Sequence, residues 1–144
     1  MDGRIENADQ RDTDEVLRLL RANALPTEGL TEHHATTLVV RRNGHVIGSA
    51  ALEVYPEGAL LRSVAVSPPL QGSGLGRRLT DAAIRLARDL GAPAMYLLTT
   101  TAEQYFPRFG FKRIDREQVP PSVRASVEFT SACPATATVM RKLL

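Results

Sequence analysis

The chain has 144 residues, 43% apolar and 24% charged, with a formal net charge of +2. That length suits one domain, residues 1–144, whose core needs neither disulfide nor structural metal, and a lone cysteine, Cys133, excludes an internal disulfide and a cysteine-rich zinc site. The small net charge, with arginines scattered and no aromatic residues between them, gives no nucleic-acid signature. No apolar run is long enough for a bilayer, and the start "MDGRIENADQRD" lacks a leader's apolar stretch. The expectation is therefore a cytoplasmic protein with no membrane and no nucleic-acid partner. His33 and His34 have no ligand spacing to another cluster, so they are expected in a solvated loop, and no metal site is expected.

"RIENA" (4–8) reads as a short first strand. Asp12 and Glu15 stand in a capping-box arrangement, opening a helix with Val16, Leu19, Leu20 and Ala24 on one face, and Pro26 and Gly29 end it. "TTLVVRR" and "HVIGSAALEVY" are two strands joined by Asn43-Gly44, a strong hairpin signal. The turn Pro56–Gly58 leads into "ALLRSVAV", which is apolar on both faces apart from Arg62 and Ser63 and so reads as a central strand.

A helix over 75–90 follows, with Leu75, Leu79, Ala83, Leu86 and Leu90 inward, Arg77, Arg78, Arg85 and Arg88 outward, and Gly91 at its end. "AMYLLTT" is a buried strand, so strand, helix and strand make a βαβ crossover with a parallel pair. A second short helix is expected near Thr101, with Pro107 awkwardly placed inside it. "GFKRI" and "ATATVMRKL" return as strands. The class is α/β, a mixed sheet with an antiparallel N-terminal half.

The segment "SVAVSPPLQGSGLGRRLTDAA" (63–83) places three glycines between strand and helix. Glycines there let an anion reach the unpaired amides and positive end of the helix dipole. A Walker loop would need Lys-Ser/Thr after Gly76, where Arg77 and Arg78 stand, and a dinucleotide fingerprint from Gly72 would need glycine at Arg77. Gln71-x-x-Gly74-x-Gly76, straight after a strand and opening a helix, resembles the coenzyme A pyrophosphate loop of the GNAT (general-control-type N-acetyltransferase) superfamily. The element order is similar to that fold over nearly the whole chain.

The resemblance implies a GNAT fold whose parallel strands splay apart at the CoA site, with acetyl-CoA as cosubstrate. The amides of Gln71, Gly72, Ser73, Gly74, Leu75 and Gly76 would then cradle the pyrophosphate, Arg77 would follow them, and Thr99 would touch CoA. The backbone of Val64, Ala65 and Val66 would pair with the pantetheine arm as an added strand, and an amide near Val66 would face the oxyanion of the tetrahedral intermediate. A homodimer would fit the family, though one sequence does not fix it.

"YLLTTTAEQYFPRFGF" resembles the acetyl-transfer domain of N-acetylglutamate synthases. "LLRSVAV", "YLLTTTAE" and "EFTSACPATATVM" resemble the small GNAT proteins encoded with arsenic-resistance genes. Both resemblances imply a small amine acceptor, an α-amino acid or a toxic glutamate analogue. Arg62 and Arg124 are then acceptor-anchoring candidates, with Thr100 beside them. Against these readings stand a salt bridge from Arg62 to Glu53 or Glu128, a solvated Arg124, and helix capping by Thr101. The family's carboxylate position holds Leu60 and Leu61, and its tyrosine position holds Phe106, which leaves Glu53 as candidate base and Tyr105 as candidate acid. Those gaps keep a second reading open: a degenerate domain that binds acetyl-CoA as a sensor without turnover. Cys133 reads as a small buried hydrophobe rather than a nucleophile.

Overall fold

A computed structural model describes residues 4–144, the His34 side chain apart. Asn43 and Gly44 both take left-handed φ, 54° and 79°, the two-residue turn whose twist matches paired strands. It joins β2 (Thr37–Arg42) to β3 (His45–Tyr55), and a second tight turn joins β3 to β4 (Gly58–Val66). With β1 (Ile5–Asn7), β5 (Ala94–Thr99), β6 (Lys112–Ile114) and β7 (Thr138–Leu143), these strands lie in the order β1-β2-β3-β4-β5-β7-β6. The mixed sheet expected from the sequence is present, antiparallel except for β4 beside β5.

Side chains alternate across the strands. One face is covered by α2 (Leu75–Asp89), which buries Leu75, Leu79, Ala83, Ile84 and Ala87 with Leu52, Leu61 and Leu97. On the other face α1 (Thr13–Ala22) packs Val16, Leu19 and Leu20 against Val39, Ala51 and Ala65. Farther along that face, Val119 and Val123 of the segment around α3 (Pro121–Arg124) cover Leu60, Tyr96 and Val139. Between these two covers the side chains of Glu53 and Arg62 enter the protein.

Two irregularities shape β4. Ala51 pairs with Arg62 while Ser49 pairs with Ala65, so two β4 residues oppose one on β3, and Ser63 sits at φ 60°. This is a β-bulge, held by Ser49 Oγ donating to Ser63 O at 2.7 Å and Arg62 Nε donating to Ser63 Oγ at 3.1 Å. Farther on, β4 pairs with β5 only at Ala59↔Met95 and Leu60↔Tyr96, whereas β5 pairs with β7 along its whole length. The strands separate from Leu61 onward.

Four local expectations are corrected. Asp12 does not cap with Glu15: its carboxylate accepts from Arg41 at 2.5 and 3.0 Å and from the Asp9 amide, while Glu15 accepts from the Val46 amide at 2.6 Å. Ala24 is exposed with φ 55°, because α1 has already ended. Leu90 is half exposed, because the inward stripe of α2 turns to Ile84 and Ala87. No helix begins at Thr101; a single tight turn spans Phe106–Phe109, where Pro107 falls at the start and is tolerated.

A Cβ at Gly58 would stand 2.8 Å from Tyr96 Cε2 and 3.0 Å from Ala94 O. Gly58→Ala is therefore expected to wedge apart the only paired stretch of β4 and β5 and to destabilise the protein by about 1–3 kcal/mol in urea denaturation.

Candidate active site

The separation of β4 from β5 opens an elongated cleft of about 600 Å³ that runs onto the glycine turn. Gly72 and Gly74 take φ of 87° and 90°, a conformation that costs an L side chain about 1–2 kcal/mol. Gly74 is the residue from which α2 starts, and it has no side chain to offer the helix a capping oxygen. The first intrahelical bond runs from Arg78 N–H to Gly74 O at 3.1 Å, so the amides of Leu75, Gly76 and Arg77 stand ahead of it. An anion is the natural complement of that end. Arg77 and Arg108 flank it, and the Arg108 guanidinium lies 4.7 Å over the Tyr105 ring.

A second cavity of about 220 Å³ continues from the first between the diverging strands. Tyr105, Asn23 and Val64 border both. Phe106 turns into the core while Tyr105 turns into the cleft, its hydroxyl 3.6 Å from where a Gly76 Cβ would stand. The strand-to-turn corner is capped by Thr99, whose Oγ1 accepts from the Ala102 amide at 2.9 Å; capping by Thr101 is not what forms.

Below the second cavity lies an ionic cluster. Arg62, whose side chain is wholly buried, donates from Nη1 to Glu53 Oε2 at 2.8 Å and to Glu28 O at 2.7 Å, and from Nη2 to Pro26 O at 3.3 Å. Its Nε lies 3.4 Å from Glu128 Oε2. Glu53 also accepts from the hydroxyls of Tyr55 and Ser126, both at 2.5 Å, and His33 Nε2 is 3.7 Å away, so His33 is not in the solvated loop expected of it. The His34 side chain lies outside the described residues. Burial works to raise the pKa of Glu53, but donation from Ser126, Tyr55 and Arg62 outweighs it and holds the carboxyl below its ordinary value. Tyr55 is pushed up to about 12 by burial and by Glu53. Glu128 has fewer donors, and burial raises it to about 7 against the pull of Arg62. Cys133, half buried beside Glu128, is pushed up to about 12 by burial and then by that charge, which leaves a poor nucleophile.

Of the residues expected at a cosubstrate site, Val64, Ala65, Val66, Gln71, Gly72, Gly74, Gly76 and Arg77 border the first cavity, and Thr99 borders the second. Ser73 is exposed and borders neither cavity, and Leu75 buries its side chain in the core. Of the acceptor candidates, Arg62 borders the second cavity, while Thr100 and Arg124 face solvent and border neither. Both ion pairs weighed for Arg62 are formed. Glu53 is buried beneath the cavity with its carboxylate engaged by Tyr55, Ser126 and Arg62, which speaks against its candidacy as base. Sequence reasoning missed Asn23 and Arg108. Asn23 Nδ2 and Gln71 Nε2 both donate to Val66 O, at 3.3 and 3.1 Å, and Gln71 Nε2 also donates to Asn23 Oδ1. No sequence signal marked either residue.

Among the described residues no helix is long and apolar enough to cross a membrane. Residues 4–111 match the family described as Acetyltransferase (GNAT) family. An amino-acid acetyltransferase of Mannheimia succiniciproducens is 35% identical over 92 residues, 62% of this chain and 21% of that protein, so the chain spans about a fifth of this relative's length. N-acetylglutamate synthase from Neisseria gonorrhoeae, solved with coenzyme A and N-acetyl-glutamate, superposes with a TM-score of 0.83 at 23% identity, over 98% of this chain and 35% of that one. A Mycobacterium tuberculosis protein solved in complex with CoA gives a TM-score of 0.83 at 25% identity over 98% and 99% of the two chains.

The ion cluster sets a measurable stability. Arg62→Met strands Glu53 without its cation and is expected to cost about 3–5 kcal/mol in urea denaturation at pH 7. Adding Glu53→Gln should recover part of that loss, because no buried charge is then left alone.

Proposed function

The chain belongs to the acetyltransferase (GNAT) family, and from that premise we propose that it is an acetyl-CoA-dependent N-acetyltransferase. Its acceptor is a small amine, an α-amino acid or a toxic glutamate analogue, so that acetylation serves detoxification. The observation that carries the reading is the continuity of one cleft from the left-handed glycine turn at the head of α2, along the unpaired stretch of β4, to the cavity over Arg62. A long molecule with an anionic end, an amide-bearing arm and a reactive tip fits that shape. Support for the acceptor class comes from relatives that are amino-acid acetyltransferases.

In this reading the amides at the turn, with Arg77 and Arg108 beside them, bind the pyrophosphate. The backbone of Val64, Ala65 and Val66 pairs with the pantetheine arm after the Gln71 and Asn23 side chains release Val66 O. The amine attacks the thioester carbonyl directly, and a β4 amide steadies the oxyanion of the tetrahedral intermediate. The Tyr105 hydroxyl, set over Gly76, returns a proton to the departing thiolate. A carboxylate on the acceptor faces Arg62; Thr100 and Arg124, which border neither cavity, have no part in this reading. One observation favours the alternative of a binding module without turnover: Glu53, the base candidate of the sequence, is fully engaged.

Thiol release from acetyl-CoA across a panel of amino acids, including glutamate, its phosphinate and arsinate mimics and simple polyamines, separates the two readings. Turnover confined to amino acids is expected; binding of acetyl-CoA with no thiol release from any acceptor would make the chain a module. Gly74→Ala meets no atom within 4 Å, so its cost is backbone conformation alone, and acetyl-CoA binding by calorimetry should weaken about tenfold. Tyr105→Phe should lower kcat about 100-fold with little change in acetyl-CoA affinity.

A further inference from the structure

We propose that Asn23 selects the acceptor: its amide rests on the Val66 carbonyl until the cosubstrate's arm takes that oxygen, and it then donates to the acceptor's carboxylate. The assignment rests on the acetyl-transfer reading above. Asn23, Tyr105 and Val64 border both cavities, and of these Asn23 alone carries a side-chain amide. Its Nδ2 donates to Leu19 O at 3.0 Å and to Val66 O at 3.3 Å, and its Oδ1 accepts from Gln71 Nε2 at 2.9 Å. Gln71 Nε2 also reaches Val66 O, at 3.1 Å. A carbonyl oxygen has two lone pairs, so both acceptor positions on Val66 are taken.

An N–H of the pantetheine arm pairs with Val66 O only when these donors withdraw. Gln71 borders the first cavity and not the second, so its new acceptors come from the cosubstrate itself. Asn23 keeps Leu19 O, and its other Nδ2 hydrogen is left toward the second cavity. A donor without an acceptor in a filled cleft costs free energy, so the loaded protein offers a hydrogen bond that the empty one does not. The backbone beneath this side chain is fixed. Asn23 N donates to Leu19 O and Leu20 O at the end of α1, and Leu25 N reaches back to Leu20 O at 2.9 Å. Between them Ala24 is held at φ 55°, a conformation that glycine adopts at less cost.

The acceptor's carboxylate has a use for that donor. A carboxylate offers about four lone-pair sites, and Arg62 has little left for them. Its Nη1 donates to Glu53 Oε2 and Glu28 O, its Nε to Ser63 Oγ and its Nη2 to Pro26 O. A guanidinium has five N–H groups, so one, on Nη2, remains. Thr99 Oγ1, on the same cavity, already accepts from the Ala102 amide. Pro26, which receives Nη2, stands three residues after Asn23, so the last Arg62 hydrogen and the released Asn23 hydrogen meet the cavity from one corner. A carboxylate bridging them gains two donors at once. An amine without a carboxylate gains nothing from the released amide, and that difference is the selectivity.

Acceptor binding is read by calorimetry on the free chain and on the chain saturated with CoA, which has no acetyl group to transfer. The probes are the amino acid with the highest kcat/KM in the thiol-release panel and the amine left when its α-carboxylate is removed. In the wild type CoA should tighten the amino acid about tenfold and leave the amine unchanged. In Asn23→Ala that tightening should vanish, and kcat/KM should fall about tenfold for the amino acid alone. CoA should bind this variant at least as well as the wild type, since one competitor for Val66 O is gone. Asn23→Asp keeps the oxygen that receives Gln71 but donates nothing and repels a carboxylate, so its loss for the amino acid should reach about 100-fold; it replaces Asn23→Ala if that variant does not fold. Equal losses for the amino acid and its amine overturn the assignment alone, because the role of Asn23 would then be structural. So does tightening by CoA that survives in the variants or is absent from the wild type. Turnover confined to amines without a carboxylate overturns the acceptor class and the assignment together. A wild type that binds acetyl-CoA but releases no thiol with any acceptor overturns the acetyl-transfer reading and the assignment with it.

Discussion

A guanidinium placed inside a central strand is the constraint around which this molecule is arranged. Arg62 enters the gap between the two covers of one sheet face with its side chain buried, so its donors lean on protein acceptors. Those acceptors come from distant parts of the chain: Pro26 and Glu28 from the connection after α1, Glu53 from β3, Ser63 from its own strand and Glu128 from the turn before β7. Satisfying one side chain thus fastens three otherwise separate segments over the cavity floor. Gly29 is part of the same arrangement, since a Cβ there would stand 2.8 Å from Val127 Cγ1 and 3.7 Å from Arg62 Nη1.

The cleft lies along one edge of β5, where its pairing with β4 stops early. Strand β5 bonds along its full length to β7 and only briefly to β4. The bulge at Ser63 adds local twist to β4 at the point where the pairing ceases. What results is a strand edge with donors and acceptors facing a gap, ending in a helix whose first amides face the same way. Shape and polarity come from backbone, which is why the side chains bordering that stretch are as plain as Val64, Ala65 and Val66.

Much of this was legible in the sequence because its signals are local. Asn43-Gly44 defined a hairpin through the dihedrals those residues tolerate, and the glycines from Gly72 to Gly76 defined a turn with exposed amides. The apolar run 59–66 identified the central strand. Failures came where a side chain's partner lies far along the chain. Asp12 looked like a cap until Arg41, 29 residues away, claimed its carboxylate. Glu53 looked available because Ser126, 73 residues away, leaves no local trace of its contact. Tyr105 and Phe106 differ by one position, and only the tight turn at Phe106–Phe109 settles which enters the core and which the cleft.

The clasp of Asn23 and Gln71 on the Val66 carbonyl has a meaning for the protein's behaviour in crowded solution. A strand edge left open for a guest is also open to an unwanted neighbour, and edge-to-edge pairing is a common route to aggregation. Here the edge is recessed between β4 and β5, and the Val66 carbonyl is covered by two neutral amides. With that carbonyl answered from within the chain, the recess offers a second sheet little to pair with.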